Sequence, residues 1–212
     1  MDTTELRNMF RSEFSDDVVP YLVSDALVYN YIDDAQKMFC RKTEGIEDGR
    51  SFTLAVAPGT EWYDLDPVIL KIRKAVNTAT GREVSLINTE RAELAGVRFD
   101  GRTGPLNVLV LGIEKNAARA WPVPNAAATV ELQVFRLPRT VEAGDSLELD
   151  EQHHQHLLLW VKHRAYGIQD SEVTDKRKAE EYEQRFNSYC FEARKEQERA
   201  RRVVGAVAYG GI

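Results

Sequence analysis

Apolar residues recur at helical spacing near both ends of this chain and alternate with polar ones in between. The strongest pattern runs from Leu147 to Arg202 and predicts two helices joined by a short acidic loop. In the first, Leu157, Trp160, Val161, Ala165 and Ile168 fall at three- and four-residue steps, which makes one buried stripe. In the second, Ala179, Tyr182, Phe186, Tyr189, Ala193 and Ala200 keep the alternating spacing of a packing seam, with charged residues and Gln around them. A loop at Gln169-Asp170-Ser171-Glu172 is short enough to force an antiparallel hairpin with facing seams. Thr174 supplies the expected capping oxygen of the second helix and Asp175 a negative charge at its positive end.

At the N-terminus, Asp2 or Thr3 caps a short helix carrying Leu6, Met9, Phe10 and Phe14 on one side, ended by Asp16-Asp17 and Pro20. Ser24 then caps a longer helix whose inner stripe is Leu27, Val28, Tyr31, Ile32, Ala35 and Phe39, with Asp33, Asp34, Lys37 and Arg41 expected on its outer face. Gly45 stops it, and the period changes to two. Phe52, Leu54 and Val56 alternate before a Pro58-Gly59 turn, which predicts a hairpin returning through Trp62 to Leu65. A second hairpin joins VILKIRKAV to REVSLIN across residues 77–81, and TERAEL reads as one or two helical turns. PLNVLVLGI, RAWPV and ATVELQVFRLP supply further strands, with Pro122 and Pro124 suited to an edge.

The expected fold is therefore α+β: a helical bundle or hairpin frame with an inserted antiparallel β sandwich or small barrel. The segments are an N-terminal helical pair (1–45), the β module (46–146), the C-terminal helical hairpin (147–202) and an extended C-terminal arm (203–212). Leu27, Tyr31, Phe39, Leu157, Trp160, Tyr182, Phe186 and Tyr189 are the expected packing residues of the frame.

Composition narrows the function. With 212 residues and 43% hydrophobic content the chain can bury one substantial core or two modest ones. Thirty-four acidic residues against 28 basic ones give a formal charge of -6, which disfavours a surface made to embrace phosphates, while an acidic wall lets DNA slide past. Cys40 and Cys190, each inside a predicted helix, read as buried thiols of a protein made in a reducing compartment. The charged N-terminal stretch is expected not to be a signal peptide, and no segment approaches the roughly 20 apolar residues that span a bilayer.

Candidate chemistry is sparse. His153, His154, His156 and His163 are the one metal-like cluster, but His156 and His163 stand about 10 Å apart along a helix axis, too far to share an ion. They are expected instead to be polar residues on solvated turns, outside the apolar stripe or at its margin. Glu148, Asp150 and Glu151 have the acidity of a glycosidase pair, yet negative charge ahead of a helix start is sufficient reason for them. Gly101-Arg102-Thr103-Gly104 lacks the strand-to-helix context of a phosphate cradle and reads as a loop. The run from Arg194 to Arg202 has its acids at helical spacing and reads as a self-paired solvated face. No catalytic residue, cofactor or metal site is expected. The terminal VVGAVAYGGI sets Val203, Val204, Val207, Tyr209 and Ile212 among glycines, too apolar for an ordinary frayed end. Such a tail either folds back on its own β module or docks on a partner.

Ser24-Asp25 leading into YNYIDDAQKMFCRKT, then VFRLPR, then EQHHQHLLLWVKHRAYGIQDSEVTDKRKAEEYEQRF, resemble the adaptor, or head-to-tail connector, proteins of tailed bacteriophages. The resemblance implies a structural protein of the virion, assembled in the bacterial host cytoplasm. It would form a ring of roughly twelve copies by head-to-tail contacts beneath the portal. Its further partners would be a tail or nozzle protein and, in the lumen, DNA bound without sequence preference, with no membrane; its stages of action would be tail assembly and DNA ejection. In that family a C-terminal arm commonly reaches the portal, a surface that would suit Val203, Val204, Val207, Tyr209 and Ile212. The alternative from another class is a virion-associated peptidoglycan hydrolase.

Overall fold

The computed structural model describes residues 1–168 and 174–201. In chain order, two helices come first, α1 (Thr3–Phe14) and α2 (Asp25–Lys42). Then follow β1 (Ile46–Val56), β2 (Trp62–Asp64), β3 (Ile69–Asn77), β4 (Glu83–Asn88), α3 (Thr89–Leu94), β5 (Thr103–Gly104), β6 (Val108–Leu111), β7 (Ala117–Trp121), β8 (Val123–Pro124) and β9 (Ala128–Arg136). Two long helices close the order, α4 (Glu151–Tyr166) and α5 (Lys176–Ala200). The described chain divides into two compact units: Met1–Glu44 with the described residues from Pro138 onward, and Gly45–Leu137.

Helix starts in the first unit follow from their caps. Asp2 and Glu5 form a reciprocal capping box on α1, with Glu5 N–H donating to Asp2 Oδ1 at 2.7 Å and Asp2 N–H to Glu5 Oε2 at 3.0 Å. Ser24 Oγ caps α2 by accepting from Leu27 N–H. At α5 the cap is Asp175, which accepts from Lys178 N–H at 3.0 Å, and not Thr174, whose hydroxyl donates to Ile168 O. Two neighbouring residues able to cap compete, and backbone geometry decided for the carboxylate. The loop expected at 169–172 lies outside the described residues.

Helix α4 is the centre of this unit, because α1, α2 and α5 all pack on it. Its buried residues, among them His153, His154, Leu157, Leu158, Val161 and Ala165, therefore spread round the helix and not along one stripe. Phe10, Ile32, Phe39, Leu157 and Phe186 have almost no exposed surface, and the Trp160 and Phe186 rings lie 5.2 Å apart. Tyr31 is buried, while Leu27, Tyr182 and Tyr189 are half-buried and Ala200 is exposed. Asp33, Asp34 and Lys37, expected on an open outer face, are partly buried. Asp34 accepts from Trp160 Nε1 at 2.8 Å, and Asp33 accepts from Gln36 Nε2 at 3.1 Å and Val141 N–H at 3.2 Å.

The chain rejoins the helical unit at Pro138, ahead of the boundary expected at 147. Residues 139–145 have no helical period, yet they are fastened to the first two helices. Gln36 donates to Arg139 O at 2.9 Å, Thr3 N–H to Asp145 O at 3.0 Å, and Thr3 Oγ1 to Glu142 O at 2.6 Å.

The second unit holds a curled seven-stranded sheet in the order β1-β9-β3-β4-β6-β7-β2, with β5 and β8 forming a small pair of their own. Leu54, Val56, Ile72, Val84, Leu109, Val130 and Leu132 fill its core. Pairing is antiparallel except for β4 with β6 and β5 with β8. The parallel β4–β6 pair requires a crossover, which α3 and the loop after it provide. The expected β3–β4 hairpin is present, with Ala75 opposite Val84. The expected β1–β2 hairpin is not. β1 pairs with β9 and β2 with β7, so residues 57–61 connect the two outermost strands of the sheet. Alternation specifies which face a residue takes, not which strand lies beside it. Thr103 and Gly104, read as a loop, form β5 and pair with Val123 and Pro124.

Candidate functional site

Of the four histidines, expected on solvated turns, His156 is exposed and His163 half-buried, but the other two are not solvated. His153 and His154 are buried, at 4% and 2% exposure. His153 Nδ1 lies 2.7 Å from the Tyr189 hydroxyl of α5, and its ring packs on Phe39 of α2 with centroids 4.7 Å apart. His154 Nε2 meets Leu149 O at 2.7 Å, His163 Nδ1 meets Ala179 O at 3.0 Å, and His156 stacks on Tyr189 at 3.7 Å. The expectation that these side chains lie outside the packed stripe is therefore wrong for His153 and His154. A helix packed on three sides buries positions that a one-stripe pattern leaves open. Burial pushes the His153 and His156 imidazoles below their ordinary value, so both favour the neutral form. Burial likewise pushes Tyr189 and Cys190 up to about 12. Cys40 and Cys190 are buried and not bonded to each other.

Among the described residues, no group of three or more His, Cys, Asp or Glu stands close enough to hold a metal ion. Asp150 is the N-cap of α4 without a side-chain capping bond, Glu148 accepts from Arg139 N–H at 2.9 Å, and Glu151 is exposed. In α5, Arg194 pairs with Glu198 and Lys195 with Glu192, each at 3.0 Å, as expected of a self-paired face. Arg201, at the end of α5, pairs with Glu44, just beyond α2.

Helical periodicity does not mark the polar cluster beneath the loop between α1 and α2. Arg11 and Asp16, 7% and 3% exposed, form an ion pair inside the helical unit. Asp16 also accepts from Leu22 N–H at 2.7 Å and Val23 N–H at 3.1 Å. Arg11 bonds Asp25 at 2.7 Å and stacks on the Tyr21 ring at 3.9 Å. Hydrogen bonding from Arg11 is the main reason the Asp25 carboxyl lies below its usual value; burial opposes it, and the charges of Arg7 and Arg11 add to it. The cluster fixes the loop between α1 and α2, and that loop turns Val18, Val19 and Leu22 outward at 79%, 72% and 48% exposure. Asp16 read as a helix terminator because nothing local distinguishes a terminating aspartate from one that staples the loop behind it.

A comparable knot holds the β unit. Burial alone would raise the Asp48 carboxyl, but hydrogen bonds from Ser51 N–H, Arg136 and Arg50 N–H outweigh it and hold the group well below the carboxylate range. On β7, Arg119 is clamped between Phe99, 3.9 Å from its ring centroid, and Trp62, while pairing with Glu61 at 2.7 Å.

The expected docking residues Val203, Val204, Val207, Tyr209 and Ile212 lie outside the described residues. Among the described ones, no helix is long and apolar enough to cross a membrane.

What fold and site define together is a helical frame from two separate stretches of the chain, interrupted by a β module, with the Arg11–Asp16 and Asp48–Arg136 pairs fixing its loops. The chain belongs to the SU10 adaptor protein family, whose model matches residues 1–208. The family is one of bacteriophage adaptors, structural proteins of the virion, in agreement with the resemblance carried by the helical segments. No curated protein matches the chain.

Proposed function

We propose that this protein is the head-to-tail connector subunit of a tailed bacteriophage, assembling into a ring beneath the portal, joining capsid to tail and surrounding the DNA channel. The observation that carries the proposal is the family match over residues 1–208, which takes in the helical frame and the β module alike. The formal charge of -6 supports a channel wall that DNA passes without being held. The segment from Val203 to Ile212 acts in this reading as the arm that docks on the portal. Its apolar residues then find a surface, and repetition around the ring turns a small gain per arm into firm attachment.

The test is the mass of the purified protein alone and mixed with the portal protein of the same virus, by native mass spectrometry. A closed multimer bound to the portal is expected. A chain that stays monomeric and ignores the portal would refute the connector role.

A further inference from the structure

The curled sheet of the β unit is not filled at one end. Where β3 and β7 begin and β6 ends, Leu65, Ile69, Leu70, Ile72 and Leu111 line a hollow of about 270 Å³. Leu65, Ile69 and Leu111 pack against the β core from this side and Leu70 is 41% exposed, so the apolar core continues into the hollow and meets solvent there. Asp66 and Glu114 in its wall are matched by Lys71 and Lys115, which leaves it without net charge. The route to it from the end of α5 is short. Arg201, the last described residue, pairs with Glu44, Glu44 is bonded to Gly45, and a Cβ on Gly45 would stand 3.0 Å from Leu70 Cδ1. Glu44 and Gly45 are consecutive, so this route does not depend on how the two units are arranged.

We infer that the segment 203–212 seats its apolar residues in this hollow of its own chain until the portal takes them. The inference rests on the arm reading given above and adds where the arm lies in the free subunit. By the route through Glu44 and Gly45, Arg201 and Leu70 are on the order of 20 Å apart, and the eleven residues 202–212 extend to about 36 Å, so the arm reaches the hollow. Val207 and Tyr209, six and eight positions past Arg201, are the residues that arrive there on an extended path. The chemistry matches as well. From Val203 to Ile212 there is no charged residue, and a hollow with apolar walls and balanced charge selects neither an acidic nor a basic peptide. A tether this short gives the arm an effective concentration on the order of millimolar, so in dilute solution it occupies the hollow ahead of the arm of a second copy. Seating also covers an apolar segment that would otherwise be a hazard to a free subunit.

The experiment uses the full chain carrying Leu70→Cys and follows alkylation of the introduced thiol by a maleimide, with the unsubstituted chain as control for the buried Cys40 and Cys190. Lys115→Cys, exposed in the same wall, is the second reporter should Leu70→Cys disturb the fold. Deleting residues 204–212 is expected to speed the reaction about tenfold or more, and Val207→Asp with Tyr209→Asp in a chain of full length should do the same. In the full chain, Leu70→Cys combined with Val207→Cys should give on oxidation a bond within one chain. Equal alkylation rates with and without the segment overturn the inference, as do dimers in place of the intrachain bond, which would assign the hollow to a second copy. Adding the portal protein of the same virus to the full chain should restore the fast reaction. If the rates are equal and deletion still abolishes joining to the portal, the hollow contact falls and the arm reading stands. If the segment protects the thiol and the chain joins the portal with the thiol still slow, the hollow contact stands and the arm reading falls.

Discussion

Removing the Asp16 carboxylate tests whether the cluster beneath the 16–22 loop is structural in the way its geometry implies. In Asp16→Ala the Arg11 guanidinium, 7% exposed, loses its most buried partner and keeps only Asp25, whose side chain is 40% exposed. Breaking one side of a buried ion pair costs about 3–5 kcal/mol, because the remaining charge stays desolvated. The surviving Arg11–Asp25 bond argues for the lower half of that range. The amide of fully buried Val23 loses its acceptor at the same time, which adds on the order of 1–3 kcal/mol unless the loop opens to water. We therefore expect Asp16→Ala to destabilise the helical unit by about 3–5 kcal/mol, two or more powers of ten in its unfolding equilibrium. Asp16→Asn, which keeps an oxygen for one amide but no charge, should fall between that variant and the parent. Urea unfolding followed at 222 nm reports mainly on the helical unit; in Trp fluorescence the part carried by Trp62 and Trp121 reports on the β unit and should not move, while the part carried by Trp160 of α4 should shift with the helical transition. A loss below about 1 kcal/mol in the helical transition would show that Arg11 is satisfied without Asp16.

Other consequences follow from named contacts. His153→Ala removes the bond to Tyr189 and the packing on Phe39 and should cost the helical unit about 2–4 kcal/mol in the same assay, so joint replacement of all four histidines by Gln should also be poorly tolerated. Because burial lowers His153 and His156 below the ordinary 6.5, the unfolded chain binds more protons there. The helical unit should keep its full stability above about pH 6.5 and lose part as the pH falls from there through the folded values, a slope that His153→Gln should flatten. Asp48→Asn should weaken the β unit by about 1–3 kcal/mol at neutral pH. The Asp48 contribution is present above the ordinary 3.8 and lost as the pH falls below that value toward the folded pKa, so the parent and variant should converge in acid, measured by Trp fluorescence. Gly45→Ala places a Cβ 2.7 Å from Arg136 O at a φ of +84° and should cost the β unit about 1–3 kcal/mol; a neutral result would mean that the β1–β9 end yields easily. Deleting residues 204–212 should leave the helical signal unchanged and abolish joining to the portal in a pull-down, whereas unfolding would assign the tail to the subunit's own core.

Most elements were legible in the sequence because each carries a local cause. Asp2 with Glu5, Ser24 and the change of period at Gly45 mark the ends of α1 and α2. The turn residues at 77–81 mark the β3–β4 hairpin, and the Leu157–Ala165 and Ala179–Ala193 seams mark the long hairpin. Strand partners were not legible in this way. Pro58 and Gly59 dictate a turn, but that the turn links the two outer strands of a curled sheet depends on β9 taking the place beside β1. Residues 138–149 joined the helical unit through bonds to Thr3, Asp33 and Gln36, more than 100 positions away, and no periodicity encodes such bonds. The polar groups show the same division most plainly. Helical spacing placed His153 and His154 on α4, and only the packing of α1, α2 and α5 around that helix decided that they are buried. Asp16 ends a helix by its local chemistry; that it also binds Arg11 and two amides of the next loop is a property of the folded chain, since burial and hydrogen-bond partners come from neighbours distant in sequence.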